Sequence, residues 1–343
     1  MELSMSGSSL RTFGRCVTFL ARVASELVLQ AHPAKLELHT LNSSRSAYGS
    51  VSLARDFFDN YHLDAAASAP PSTPLQCSVL LKSLLAVLRT PHAALDRLDI
   101  SLPEPDAPKL QFTLHCLNGV RKTYWIVCSA EPEVQSLALD RGRFPSRLSI
   151  RPRELARLLS NFQSSLQELT IIATDPAAGL PDAGGDVGGK AVELRSYNDP
   201  AKDDCETRLH TQLWIDPVEE FVEYVHAGDP VDVTFGVKEL KAFLTFCEGC
   251  EVDILLFFEK TGDQLHQHNT MENQGLPLHH QSRTILKYGQ SFQVILPKAL
   301  KLTEKHMPQR RAMQALVCWT TRQFCPMLQM LHGSHQLQIM QTI

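Results

Sequence analysis

The 343-residue chain has little of what marks a membrane, secreted or nucleic-acid-coating protein. Its longest apolar runs, such as Ile254 to Phe258, fall far below the roughly 18 residues needed to cross a bilayer, and its N-terminus lacks the basic-then-apolar order of a secretory signal. The nine cysteines are odd in number and lack framework spacing, which fits reduced thiols and predicts a soluble intracellular protein. Positive charge is not in excess, since the formal net charge is -4. An acidic chain does not hold nucleic acid by overall charge, so any such role must come from local placement of Lys and Arg.

Catalytic signatures are equally sparse. Gly184, Gly189 and Lys190 match the start of a phosphate-binding loop, but Ala191 stands where a magnesium-holding Ser or Thr is needed, and Val192, Leu194 and Ser196 then alternate as a strand rather than opening a helix. Asp203, Asp204 and Glu206 are the densest carboxylates, yet they read as a solvated acidic turn, whereas a metal nuclease needs such groups converging from rigid elements. Cys247 and Cys250 have no second pair at zinc spacing, and Cys247 falls on an apolar helix face. No cofactor and no metal site is expected, and the chain reads as a non-enzyme. The rival reading is a nucleotide-binding enzyme around Lys190 or a metal-dependent nuclease around Asp203.

What the chain does have is a repeat and a break. Hydrophobic residues make 43% of it, and its length suits about two domains. A helix is predicted from Ser9 to Ala24, followed by strands at Glu26 to Gln30, Lys35 to Leu41 and Ser46 to Leu53. A second helix at Cys77 to Arg89 ends before Pro91, and three strands follow, the last two joined by an Asn118-Gly119 two-residue turn. After Ser129 to Pro145, which has no clean period, the order starts again. It comprises a strand at Arg147 to Arg151, a proline-led helix to Phe162, further strands, a helix at Val237 to Glu248 and a strand at Glu251 to Glu259. The expected organisation is therefore a domain at 1–128, a connector at 129–145, a domain at 146–262 and a divergent, poorly ordered tail at 263–343. The tail differs sharply in charge: from Leu265 onward there are 8 Lys and Arg against 2 Asp and Glu, and half of the 14 histidines. Only one strand follows the last helix before this break, so the second domain reads as incomplete at its C-terminus.

At 100° per residue each predicted helix carries a basic sector opposite its apolar one. Arg11, Arg15 and Arg22 share a face of the first helix, Lys82 and Arg89 of the second, Arg153 and Arg157 of the third, and Lys238 and Lys241 of the fourth. Helix surfaces often carry Lys and Arg, but four of four in an acidic body favours a basic surface that faces a polyanion.

The segment Leu41-Asn42-Ser43-Ser44-Arg45-Ser46-Ala47-Tyr48 closely resembles the Rad-nine family, one subunit of the heterotrimeric nine-one-one DNA-damage checkpoint clamp. Further matches stand at Phe57-Phe58, His115-Cys116, Gly119 to Thr123, Leu194 to Tyr197 and Lys238 to Leu244, so the resemblance covers about residues 1 to 260. It implies an α+β, PCNA-like fold of two repeated domains, with helices lining a channel and sheets outside. It also implies a nuclear, non-catalytic subunit with two other clamp-like subunits, double-stranded DNA, an alternative clamp loader of replication-factor-C type and checkpoint and repair proteins as partners. The nine basic residues would then face DNA. The connector residues Leu137 and Leu139, with Leu41, Arg45, Ser46 and Ala47 beside them, would form the partner-docking surface.

Overall fold

The computed structural model describes residues 1–43, 47–63, 74–104, 107–129, 144, 146–176, 191–197, 209–258, 291–295 and 313–320. The first half runs β1 (Glu2–Ser6), α1 (Gly7–Val23), β2 (Glu26–His32), β3 (Lys35–Leu41), β4 (Ala47–Ala54), β5 (Asn60–His62), β6 (Leu75–Leu80), α2 (Leu81–Val87), β7 (Leu95–Ser101), β8 (Lys109–Cys116) and β9 (Arg121–Ser129). The second runs β10 (Ser146–Ile150), α3 (Pro152–Leu159), β11 (Glu168–Ala173), β12 (Val192–Tyr197), β13 (Gln212–Ile215), α4 (Pro217–Glu220), β14 (Glu223–His226), β15 (Val231–Gly236), α5 (Val237–Cys250), β16 (Ile254–Phe258), β17 (Ser291–Ile295) and β18 (Met313–Thr320).

The repeat extends to strand pairing, all of it antiparallel. β1 lies between β5 and β7 as β10 lies between β14 and β16, and β2 lies between β3 and β6 as β11 lies between β12 and β15. Each half then ends on three strands in sequence, β7-β8-β9 and β16-β17-β18. The last strand crosses to the other half: β18 pairs with β4 in register from Met313↔Leu53 to Trp319↔Ala47, which makes one continuous sheet across the boundary.

That pairing corrects the expectation of an incomplete second domain. Ser291–Ile295 pairs with β16, and Met313–Thr320 completes the triplet, although both lie beyond the break in charge. Strand partners this far apart in sequence are chosen by open edges in the folded sheet, which composition does not register. The rest of the tail lies outside the described residues, as do connector residues 130–143 and 145.

Local differences have local causes. The strand β1 precedes the first helix, and its Leu3 and Met5 are buried in the core. Cys77–Leu80, expected as helix, completes β6, because Leu27↔Val79 and Glu26↔Leu80 extend the β2 ladder right up to α2. The β8–β9 connection has three loop residues rather than two. Gly119 N–H donates to Cys116 O at 3.0 Å and Cys116 N–H to Val120 O at 2.8 Å, with Gly119 at φ +79, the left-handed position that a bulged three-residue hairpin requires.

The core follows the predicted helix faces. Leu10, Phe13, Val17 and Leu20 of α1 are fully buried, and α1 packs on the strands of its own half. A second seam joins the halves through their helices. Phe19 of α1 sits edge-on to Phe243 with ring centroids 5.3 Å apart and stacks on Phe246 at 5.2 Å, both on α5.

Candidate nucleic-acid interface

α1 packs against both α2 and α5, and α3 packs against α5, so the four helices read from the sequence form one continuous layer. All nine of the basic side chains singled out are exposed, eight of them on the helices and Arg89 two residues past the end of α2, which stops at Val87 rather than at Arg89. The sheets and the apolar faces hold the opposite side of each helix in the core, which leaves Lys and Arg on the solvent face.

The nine do not all stand free. Arg15 donates to Gly249 O at the end of α5, and so ties the two halves together. Arg153 lies 3.5 Å from Glu248. Arg157 pairs with Glu220, and with Glu154 at 3.1 Å; hydrogen bonds to these two carboxylates raise its pKa further and hold it charged. Arg11, Arg22, Lys82, Arg89, Lys238 and Lys241 form no ion pair among the described residues. Three of them gather at one place: Arg22, Lys238 and Lys241 line an open groove of about 380 Å³ between the end of α1 and the start of α5.

One member of this surface is invisible to helical periodicity. His92 follows α2 and packs on Gly14 of α1, where a Cβ would stand 2.6 Å from its Cε1. Burial first, then the nearby charges of Arg11 and Arg15, lower its pKa and keep it neutral. The Pro91-His92 pair at a helix stop was the only available signal.

Of the docking candidates, Leu41 is half-buried at the end of β3. Ala47 is buried at 3% exposure; its N–H donates to Asn42 Oδ1 and its carbonyl accepts from Asn42 N–H, both at 3.0 Å. Arg45, Ser46, Leu137 and Leu139 lie outside the described residues, as do Gly184, Gly189, Lys190, Asp203, Asp204 and Glu206. Buried His39 shares a 2.6 Å hydrogen bond with the Tyr48 hydroxyl; burial pulls its pKa down to about 4, against the opposing pull of Glu37. Among the described residues no group of three or more His, Cys, Asp or Glu side chains is placed to hold a metal ion, and burial raises the pKa of Cys247 well above the usual thiol range.

Two repeated halves, each with paired sheets behind its helices and joined through one sheet, define the sliding-clamp architecture. The chain is similar in structure to PCNA from Thermococcus kodakaraensis, with a TM-score of 0.60, 12% identity and coverage of 94% of this chain and 99% of that one. A chain of the PCNA2–PCNA3 complex from Sulfolobus tokodaii gives a TM-score of 0.58 at 13% identity, with the same coverage of both. The fold is therefore PCNA-like. The family model described as Rad9 matches residues 13–277, and the chain belongs to the Rad9 family. It is 26% identical over 262 residues to the cell cycle checkpoint control protein Rad9 of Drosophila melanogaster, covering 76% of this chain and 52% of that protein. It is 24% identical over 295 residues to the DNA repair protein rad9 of Schizosaccharomyces octosporus, covering 76% and 64%. The chain thus spans only about half to two thirds of the length of these relatives.

Proposed function

We propose that the chain is a non-catalytic subunit of a ring-shaped DNA clamp that acts in the DNA-damage checkpoint and in repair. In this reading it assembles in the nucleus with two other clamp-like subunits, is loaded by a replication-factor-C-type alternative loader and encircles double-stranded DNA while recruiting checkpoint and repair proteins. The supporting observation is the sheet junction inside the chain. β18 ends the second half by adding to β4; its counterpart β9 ends the first half, and the counterpart of β4 is β13. Among the described residues, β9 pairs with β8 along one side and meets β6 only at Cys128 and Ser129, while β13 pairs only with β12. The solvent-facing side chains of β9 include Trp125, 62% exposed, and Val127, 71% exposed. Such an edge invites strand addition. A β9 edge that takes the β13-type edge of a neighbour repeats the internal junction head to tail, and a contact of that kind gives a ring where its rotation closes. Encirclement then supplies retention by topology, so an acidic chain needs only its cationic helix layer against the phosphates.

The test is Trp125→Glu with Val127→Glu. Both side chains are exposed, so the melting temperature should hold while co-assembly with two other clamp-like subunits is lost. Assembled ring should stay on closed circular duplex and slide off after linearisation. Unchanged assembly in the double variant, or equal retention on linear and circular DNA, refutes the reading.

A further inference from the structure

We infer that the open edge of β14 is a docking site for a basic, extended segment of another protein, which adds to the sheet as a further strand. The inference goes beyond the clamp reading and does not depend on it. The large sheet has two ends, β14 in the second half and its repeat counterpart β5 in the first, and among the described residues each pairs on one side only, β14 with β10 and β5 with β1. Such an edge offers unpaired backbone N–H and C=O groups to any chain that can lie along it. The two edges are dressed differently. On β5 the exposed side chains are the polar Asn60 and His62, while Tyr61 is buried with its hydroxyl 2.6 Å from His32 O and 2.7 Å from Lys35 O. On and beside β14 three valines stand in water: Val218 of α4 at 89% exposure, Val222 at 57% and Val225 at 46%. Polar side chains protect an open edge, whereas exposed valines gain by being covered.

Charge says what covers them. From Asp216 to Pro230 the chain carries five carboxylates, Asp216, Glu219, Glu220, Glu223 and Asp229, and no Lys or Arg. Arg157 meets Glu220 and Arg147 meets Glu223, while Glu219 is exposed and forms no ion pair among the described residues, so carboxylates remain in excess. A second copy of this edge would set Glu219 and Glu223 against their equals, and the phosphates of a nucleic acid would be repelled in the same way. The chain's own 175–190 segment starts and ends beside β14, since the Tyr224 hydroxyl lies 2.7 Å from Thr174 O and 3.4 Å from Ala191 O, but with three Asp against one Lys it has the wrong sign. An extended segment that alternates Lys or Arg with β-branched residues meets every requirement: main-chain partners for the edge, apolar cover for the valines and cations for the carboxylates.

The probe is a short labelled peptide of alternating lysine and valine, titrated against the full chain by fluorescence anisotropy. It should bind at about 50 mM salt and weaken as salt rises, and the same peptide with glutamate for lysine should not bind. Methylating every backbone nitrogen of the peptide removes the N–H groups that strand addition uses and should abolish binding. Hydrogen exchange on the wild-type chain should show the amides of 222–226 protected by the peptide. V222K/V225K should weaken binding by about fivefold through two lost cross-strand pairs, with an unchanged melting temperature because both side chains are exposed; N60K/H62K, at the other end of the sheet, should leave binding as it is. Protection of 121–129 or 212–215 instead of 222–226, equal loss in both double variants, or undiminished binding of the N-methylated peptide would overturn the proposal. So would a dimer of the free chain that V222K/V225K dissolves, which would give the edge to a second copy. None of these outcomes bears on ring assembly, which the Trp125 and Val127 variants test separately.

Discussion

Replacing Phe19 with Ala tests whether the halves are one cooperative body. The ring is 2% exposed and meets two rings of the other half at 5.3 and 5.2 Å. Removing a buried Phe costs about 3 to 5 kcal/mol in transfer and cavity terms, and each aromatic pair adds about 0.5 to 1.5 kcal/mol beyond its buried area. Against the roughly 5 to 15 kcal/mol that typical domains hold, this is a large fraction, and it falls on a seam shared by both halves. Urea unfolding followed by circular dichroism and by tryptophan fluorescence should give coincident transitions in the wild type. In the variant both midpoints should drop and the two probes should separate. Phe243→Ala should cost a similar amount, and the double variant should show a coupling of at least about 0.5 kcal/mol, as contacting residues do. A loss below about 0.5 kcal/mol, typical of surface positions, or strict additivity would refute the packing argument.

Two further outcomes follow from buried groups and from the last strand. His39 stays neutral in the fold at a pKa of about 4, so between the unfolded value near 6.5 and that point the unfolded chain binds more protons; stability should fall by about 1.4 kcal/mol for each pH unit of acidification across this window and level off below it. Burial pushes Glu37 up, but its bond to Lys35, with His39 and His32, lowers it overall, so it adds a loss of the same sign below its unfolded value; a melting temperature flat from pH 7 to 4 would contradict the His39 assignment. Val317 stands between Val294 of β17 and Gly49 of β4, so Val317→Pro removes a ladder N–H inside the sheet and should cost about 1 to 3 kcal/mol in denaturant titration. A silent Val317→Pro would mean that 313–320 is a loose tail.

Helix faces were legible because their signal is local. Leu10, Phe13, Val17 and Leu20 recur at a period that any folded environment must respect, and the arginines opposite them were bound to reach solvent. The start of α2 was not legible: Cys77 to Leu88 is apolar enough for either state, and only the ladder from β2 decides that the chain is strand as far as Leu80.

Periodicity, turn residues and the order of elements, all set by interactions within a few residues, thus determined the repeated α+β plan and the basic sectors of its helices. Which cations remain free was decided only in three dimensions, where Arg15 meets a carbonyl 234 residues away and Arg157 a carboxylate 63 residues away. The ending of the sheet was decided there too. A strand edge is satisfied by whichever segment can reach it in register, so β18 could complete the second half from beyond a sharp change in charge and composition, because backbone hydrogen bonds pair main chains whatever the surrounding sequence carries.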